Sequence, residues 1–113
     1  MVCPYSLTVP GGVQAHVLGL AEGLRGLGHW VEVLAPAGVG DPDRPLPEFV
    51  TRAGRAVGVP YNGSVAPLAF GPVAINRVRR WMHEHHFDVL HLHEPTAPSL
   101  SLIALALADR PVV

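Results

Sequence analysis

Tyrosine, glutamine and histidine crowd around a pair of glycines in the run Tyr5-Ser6-Leu7-Thr8-Val9-Pro10-Gly11-Gly12-Val13-Gln14-Ala15-His16. The apolar residues Met1, Val2 and Cys3 lead into it, and an amphipathic helical pattern follows at once. A strand, a glycine loop and a helix in that order turn backbone N–H groups toward whatever lies past the strand end. Those groups carry partial positive charge and suit a phosphate or diphosphate. Glycine belongs there because a Cβ would hold a bound anion away from the amides. Gly11 and Gly12 are therefore candidate anion contacts, set against the plainer reading of a tight turn with no ligand.

Four other features carry chemistry. The turn Tyr61-Asn62-Gly63-Ser64 offers hydroxyl and amide groups beside an aromatic ring. A helical pattern from Pro72 places Arg77, Arg80, Trp81 and Glu84 on an expected surface stripe, with Arg79 on its flank and Ile75, Val78, Met82 and His85 turned inward. An arginine-rich face with an amphipathic tryptophan suits an anionic lipid surface; the alternative is a solvated face with Trp81 packed on a neighbour. The histidines His83, His85, His86, His91 and His93 invite a metal reading. Zinc asks for three or four converging ligands, often with cysteine or carboxylate, and no such set is expected here. Glu94 follows a strand and is a possible acid or base, although a preceding His and a following Pro more often fix a loop.

The elements that must position these groups alternate. Apolar residues Val17, Leu20, Ala21, Leu24 and Leu27 recur at helical spacing up to a stop at Gly28. Residues 30–35 read as a strand ended by Pro36, and 49–59 as one or two short strands broken by Gly54. Residues 88–93 read as a further strand, 99–108 as a helix apolar nearly all round, and 111–113 as the opening of another strand. Strands alternating with helices predict an α/β domain with a parallel sheet covered on both faces. Ligands in such sheets bind past the carboxyl ends of the strands, where the glycine loop, the 61–64 turn and the His93-Glu94-Pro95 segment all fall. Both ends read as cut, so the isolated chain is expected to be aggregation-prone or partly folded.

Bulk composition excludes several classes. With 113 residues, 49% hydrophobic and 15% charged, the chain can form one domain with a modest core and is not disordered. A net charge of −1 makes no general case for nucleic acid, and all 8 basic residues are arginine. The single cysteine, Cys3, permits no internal disulfide and reads as a buried filler. No basic stretch followed by a long apolar run marks a signal peptide, and the most apolar segment, 100–108, is far below the ~20 residues of a membrane span. Gly11-Gly12 does not extend to a dinucleotide fingerprint, and a chain without lysine has no P-loop.

Taken in order, these segments resemble the N-terminal domain of a GT-B glycosyltransferase of the GT4 type, and within it the phosphatidylinositol α-mannosyltransferases of actinobacteria. The stretches that carry the resemblance are Val2-Cys3-Pro4-Tyr5-Ser6, Val9-Pro10-Gly11-Gly12-Val13-Gln14, Gly28-His29, Val33-Leu34-Ala35-Pro36 and Val59-Pro60-Tyr61-Asn62-Gly63-Ser64-Val65-Ala66. Phe70-Gly71-Pro72, Arg79-Arg80-Trp81 and Phe87-Asp88-Val89-Leu90-His91-Leu92-His93-Glu94-Pro95 complete it. The resemblance covers residues 1–113 as part of the acceptor-side Rossmann-like domain, with the nucleotide-sugar domain lying beyond them.

It implies transfer of mannose from GDP-mannose to the inositol of phosphatidylinositol with retention, without cofactor or metal, at the cytosolic face of the plasma membrane. It places Gly12, with Gly11, near the donor diphosphate, and Tyr5, Gln14, Tyr61, Asn62 and Ser64 on the acceptor head group. It makes Arg77, Arg79, Arg80 and Trp81 a peripheral membrane-docking face. The family's active-site histidine falls beyond Val113, so no catalytic residue is expected within the chain and the chain alone is expected to be inactive. Pro67 stands where the family has an arginine, and proline donates no hydrogen bond. The competing readings are a GT4 enzyme with another acceptor and a non-catalytic remnant.

Overall fold

The computed structural model describes residues 1–38, 44–61 and 64–113, with the backbone alone at 37, 61 and 64–67. Helix α1 spans Gly12–Gly26, followed by β1 (Val33–Ala37), β2 (Val50–Arg55), β3 (Val57–Tyr61), β4 (Ser64–Leu68), α2 (Pro72–Glu84) and α3 (Leu100–Leu107). β1 and β2 pair in parallel. Val2 forms parallel bridges to Leu34 on one side and Leu92 on the other, and Leu90 bridges Val112 in parallel. The lateral order is therefore β2, β1, segment 1–3, segment 90–92, segment 111–113, which is third, second, first, fourth, fifth along the chain. That is the doubly wound order, and its reversal falls between segments 1–3 and 90–92.

Alternation along the central segments sends side chains to opposite faces. Met1, Cys3, Val33 and Ala35 join Val17 and Ala21 of α1 in one cluster. Val2, Leu34, Leu90 and Leu92 join Val78, Trp81 and Met82 of α2 and Leu100 and Ala104 of α3 in the other. Cys3 is fully buried, and loss of hydration pushes its thiol up to about 12.

Four expectations are corrected. The strand after α1 begins at Val33 and runs through Pro36, with a register shift between Ala35 and Ala37 that accommodates the proline's missing N–H. Gly54 does not break β2; it lies inside the strand at φ 72°, and the interruption comes at Ala56. A Cβ built at Gly54 would stand 3.6 Å from the Ala69 Cβ and 3.7 Å from the Ala74 Cβ, an ordinary contact, so it is the positive φ and not the space that calls for glycine. β3 and β4 pair antiparallel outside the parallel set, with Tyr61 opposite Ser64; Asn62 and Gly63 of the expected turn lie outside the described residues. The buried face of α2 is Ala74, Val78, Trp81 and Met82, so Trp81 is core and Ile75 is partly exposed. The Trp81 ring packs 4.5 Å from the Phe87 ring, and an aromatic neighbour there makes burial the more favourable place for the indole.

Candidate functional site

The carboxyl rim at the strand-order reversal collects most of the polar groups singled out above. Segment 1–3 ends there and continues through Pro4 into Tyr5, whose backbone bridges Leu68 at the end of β4. Ser99 ties the same corner together: its hydroxyl donates to the Pro4 carbonyl at 2.7 Å and accepts from the Ala69 N–H at 3.3 Å. Occupied in this way, the Ser99 side chain leaves the first turn of α3 without a side-chain cap.

Residues 6–9 form a turn in which Val9 N–H reaches the Ser6 carbonyl at 3.3 Å and the Ser6 and Thr8 hydroxyls share a 2.9 Å bond. Chain direction then reverses through an extended Gly11 into α1, which has no side-chain cap at its amino end. Uncapped first-turn amides keep their donor capacity and the positive end of the helix dipole. The two glycines differ. A Cβ at Gly11 would collide with the Gln14 carboxamide, whereas a Cβ at Gly12 would meet nothing within 4 Å. A Cβ at Gly12 would thus stand in open space, and Gly11 gives room to Gln14. The Gln14 side chain is buried and its Nε2 donates to the Ser6 carbonyl at 3.5 Å.

Opposite α1, the chain leaves segment 90–92 through His93 and Glu94. The Tyr5 hydroxyl donates to the Glu94 carboxylate, linking the ends of the two central segments. Glu94 adopts φ 45°, a left-handed conformation that costs a non-glycine residue about 1–2 kcal/mol. His93 is buried, stacks 4.7 Å from His91 and meets His16 of α1 edge-on at 5.5 Å. Burial first, and then the neighbouring imidazoles His91 and His16, push His93 down to about 4, so its ring is neutral at physiological pH. Its Nε2 is buried without a hydrogen-bond partner among the described residues.

Of the acceptor-side residues expected from sequence, Tyr5 and Gln14 share this rim with Gly11 and Gly12. Tyr61 and Ser64 pair through their backbones at the far end of the β3–β4 ladder, which is rooted beside Tyr5 through Leu68. Asn62, and the side chains of Tyr61 and Ser64, lie outside the described residues. Arg77, Arg79 and Arg80 are exposed on α2 and pair with no carboxylate among the described residues. Trp81 does not share their surface. No group of three His, Cys, Asp or Glu among the described residues is placed to hold a metal ion. No helix among the described residues is long and apolar enough to cross a membrane.

The Tyr5–Glu94 bond joins residues 89 positions apart, and no local pattern announces it. The usable signal was positional: a polar residue directly after a strand at the point where strand order reverses.

Residues 10–113 match the family Glycosyltransferase Family 4. The whole chain is 61% identical to a phosphatidyl-myo-inositol mannosyltransferase of Mycobacterium leprae, covering 29% of that protein. It is 59% identical over its full length to the protein of the same name from Mycolicibacterium smegmatis, covering 28% of it. A third, from Propionibacterium freudenreichii subsp. shermanii, is 50% identical over 99% of the chain and 30% of the relative. The chain thus spans under a third of the length of the curated relatives it matches.

Proposed function

The chain belongs to glycosyltransferase family 4, and from that premise we propose that it supplies the acceptor side of a transferase moving mannose onto the inositol of phosphatidylinositol. The observation that carries this reading is identity of 61% along all 113 residues with a relative named for that reaction. The convergence of the α1 amino end, Tyr5 and Gln14 at the reversal point supports it physically. Donor and acceptor must meet at one rim for a group transfer to occur, and the enzyme's task there is orientation and charge stabilisation.

In this reading GDP-mannose is the donor, and its diphosphate approaches the α1 amides across the open space at Gly12. Anomeric configuration is retained. The inositol phosphate head group is held by Tyr5, Tyr61, Asn62 and Ser64, with Gln14 behind them. Gln14 acts from the second layer, holding the Ser6 turn, because its amide already serves a backbone carbonyl.

The protein works on the inner face of the plasma membrane as a peripheral enzyme. Val73, Arg77 and Arg80 follow one another along one face of α2, and Phe70 and Val73 are 58% and 61% exposed. These apolar residues take the interfacial role that the buried Trp81 leaves vacant, and the arginines meet anionic lipid. Beside Phe70 an apolar groove of about 460 Å³, lined also by Leu68, Ile75, Leu102 and Ile103, offers space for an acyl chain.

The test is direct. The intact protein is incubated with phosphatidylinositol vesicles and either labelled GDP-mannose or labelled UDP-glucose. The proposal predicts a mannosylated lipid from the first donor alone. Transfer from UDP-glucose, or to a different lipid in preference, would contradict it.

A further inference from the structure

The Tyr5–Glu94 pair is a built feature that the donor and membrane assignments leave unused. Two elements distant in sequence are brought together at the reversal point, and the second holds Glu94 at φ 45°, at the head of a turn that the Ala97 N–H closes on its carbonyl at 3.0 Å. The chemistry of the pair is narrow. An ionised carboxylate accepts hydrogen bonds and donates none, and it has lone-pair sites beyond the one that the phenol uses. With its proton committed to Glu94, Tyr5 can act toward a ligand only as an acceptor. Behind the pair lies His93, buried, neutral and backed by His16 and His91, which adds no positive charge to offset the carboxylate.

We propose that Glu94, braced by Tyr5, is an acceptor-specificity residue that receives ring hydroxyls of a polyol and turns the attached phosphate away. This rests on the acceptor reading above and extends it to the direction in which the head group lies. Acceptor oxygens side by side attract O–H donors and repel a phosphate dianion. The phosphate is thereby held off segment 90–94, and the hydroxyls are drawn toward it. The left-handed backbone of Glu94 fits this role: the conformation aims the carboxylate at Tyr5, and strain of that kind gathers at ligand sites. A glycine would take the same backbone path without strain but would carry no carboxylate.

The experiment compares binding of inositol 1-phosphate and glycerol 1-phosphate to the intact protein by calorimetry. Glycerol 1-phosphate keeps the phosphate but lacks the ring. Glu94→Gln is expected to weaken inositol 1-phosphate by about tenfold and glycerol 1-phosphate by less than about twofold, the scale of a lost charged hydrogen bond. Glu94→Gly, which takes the φ 45° backbone without strain, is expected to lose the same preference. Tyr5→Phe should reproduce the loss, and the double variant Tyr5→Phe/Glu94→Gln should add little to either single change. The ¹³Cζ resonance of Tyr5 should shift in Glu94→Gln before any ligand is added.

An unchanged preference for the inositol phosphate in Glu94→Gln would overturn the inference and leave the mannosyl-transfer reading standing. Equal weakening of both probes would overturn it too, since that is what general disturbance of the rim produces. A wild-type protein with no preference between the probes would contradict the acceptor reading itself, and this inference with it.

Discussion

The two rims of the parallel sheet differ in how their polar groups are answered. At the amino rim most polar groups meet neighbours, although the Trp81 Nε1 is buried without a partner among the described residues. Arg110 donates to the carbonyls of His85 and Phe87 at 3.3 and 3.2 Å, capping the end of α2, and bonds Asp109 at 2.7 Å. Arg25 reaches the Val31 carbonyl and Glu48, each at 3.3 Å, and its guanidinium lies 5.0 Å over the Phe49 ring. Trp30 stacks on His85 and Phe87 at 5.6 and 5.4 Å. At the carboxyl rim α1 begins uncapped, the His93 Nε2 has no partner among the described residues, and Glu94 is strained. The carboxyl rim thus combines an uncapped helix end, an unpartnered imidazole nitrogen and a left-handed glutamate, and these are the groups the proposed ligand site draws on.

That contrast can be broken or sharpened by substitution. The largest effect is expected at Gly12. A Cβ at Gly12 meets nothing within 4 Å, so Gly12→Ala should still fold, while in the donor reading the added methyl holds the diphosphate off the α1 amides. Mannosyl transfer should fall by about a hundredfold or more, the scale of a misplaced reactant, with an unchanged melting temperature. A melting temperature that falls with activity would show the glycine to be structural.

Next is Trp81, which separates core from surface. Trp81→Ala should cost about 3–5 kcal/mol of folding stability in denaturant titration, as expected for an emptied aromatic core position. A nearly neutral change would restore it to the membrane-docking face. For the arginines the direction reverses. Arg77→Ser, Arg79→Ser and Arg80→Ser together should leave stability within about 0.5 kcal/mol, as surface changes do. The same triple change should weaken binding to anionic vesicles by about 1 kcal/mol per residue, and sedimentation at two salt concentrations measures it.

The smallest and broadest effect is acid sensitivity of the carboxyl rim. His93 is held from its ordinary 6.5 down to about 4, so the unfolded chain binds a proton that the folded one refuses in that interval. Stability should therefore be complete above about pH 6.5 and decline as the pH falls toward 4. His91, lowered in the same direction by burial, adds to the slope. Replacing His93 by Phe should flatten the profile; an unaltered slope would place the titrating group elsewhere.

Much of this arrangement was legible in local pattern. Helical spacing from Val13 and the stop at Gly28 gave α1, Pro72 marked the first turn of α2, and alternation of apolar strands with helices gave the layered sheet. What escaped was set by long-range contact. Whether Trp81 faces water depends on Phe87 and on α3, and a helical wheel leaves a residue on the boundary of its apolar stripe undecided. Pro36 would end an ordinary strand, but a register shift at the sheet lets β1 continue past it. Gly54 reads as a breaker, but its left-handed backbone lies within β2. At the site, the glycine loop was visible because its chemistry is contiguous. The Tyr5–Glu94 bond was not, since only the reversal of strand order brings residues 5 and 94 to one rim.

Backbone amide shifts of the intact, isotope-labelled protein titrated with inositol 1-phosphate would test the division between the rims most directly. Perturbations should concentrate at Tyr5, Ser6, Gly12, His93 and Glu94, with Trp30, His86 and Arg110 unmoved. Shifts centred on Trp30 and Arg110, with the reversal point silent, would contradict it.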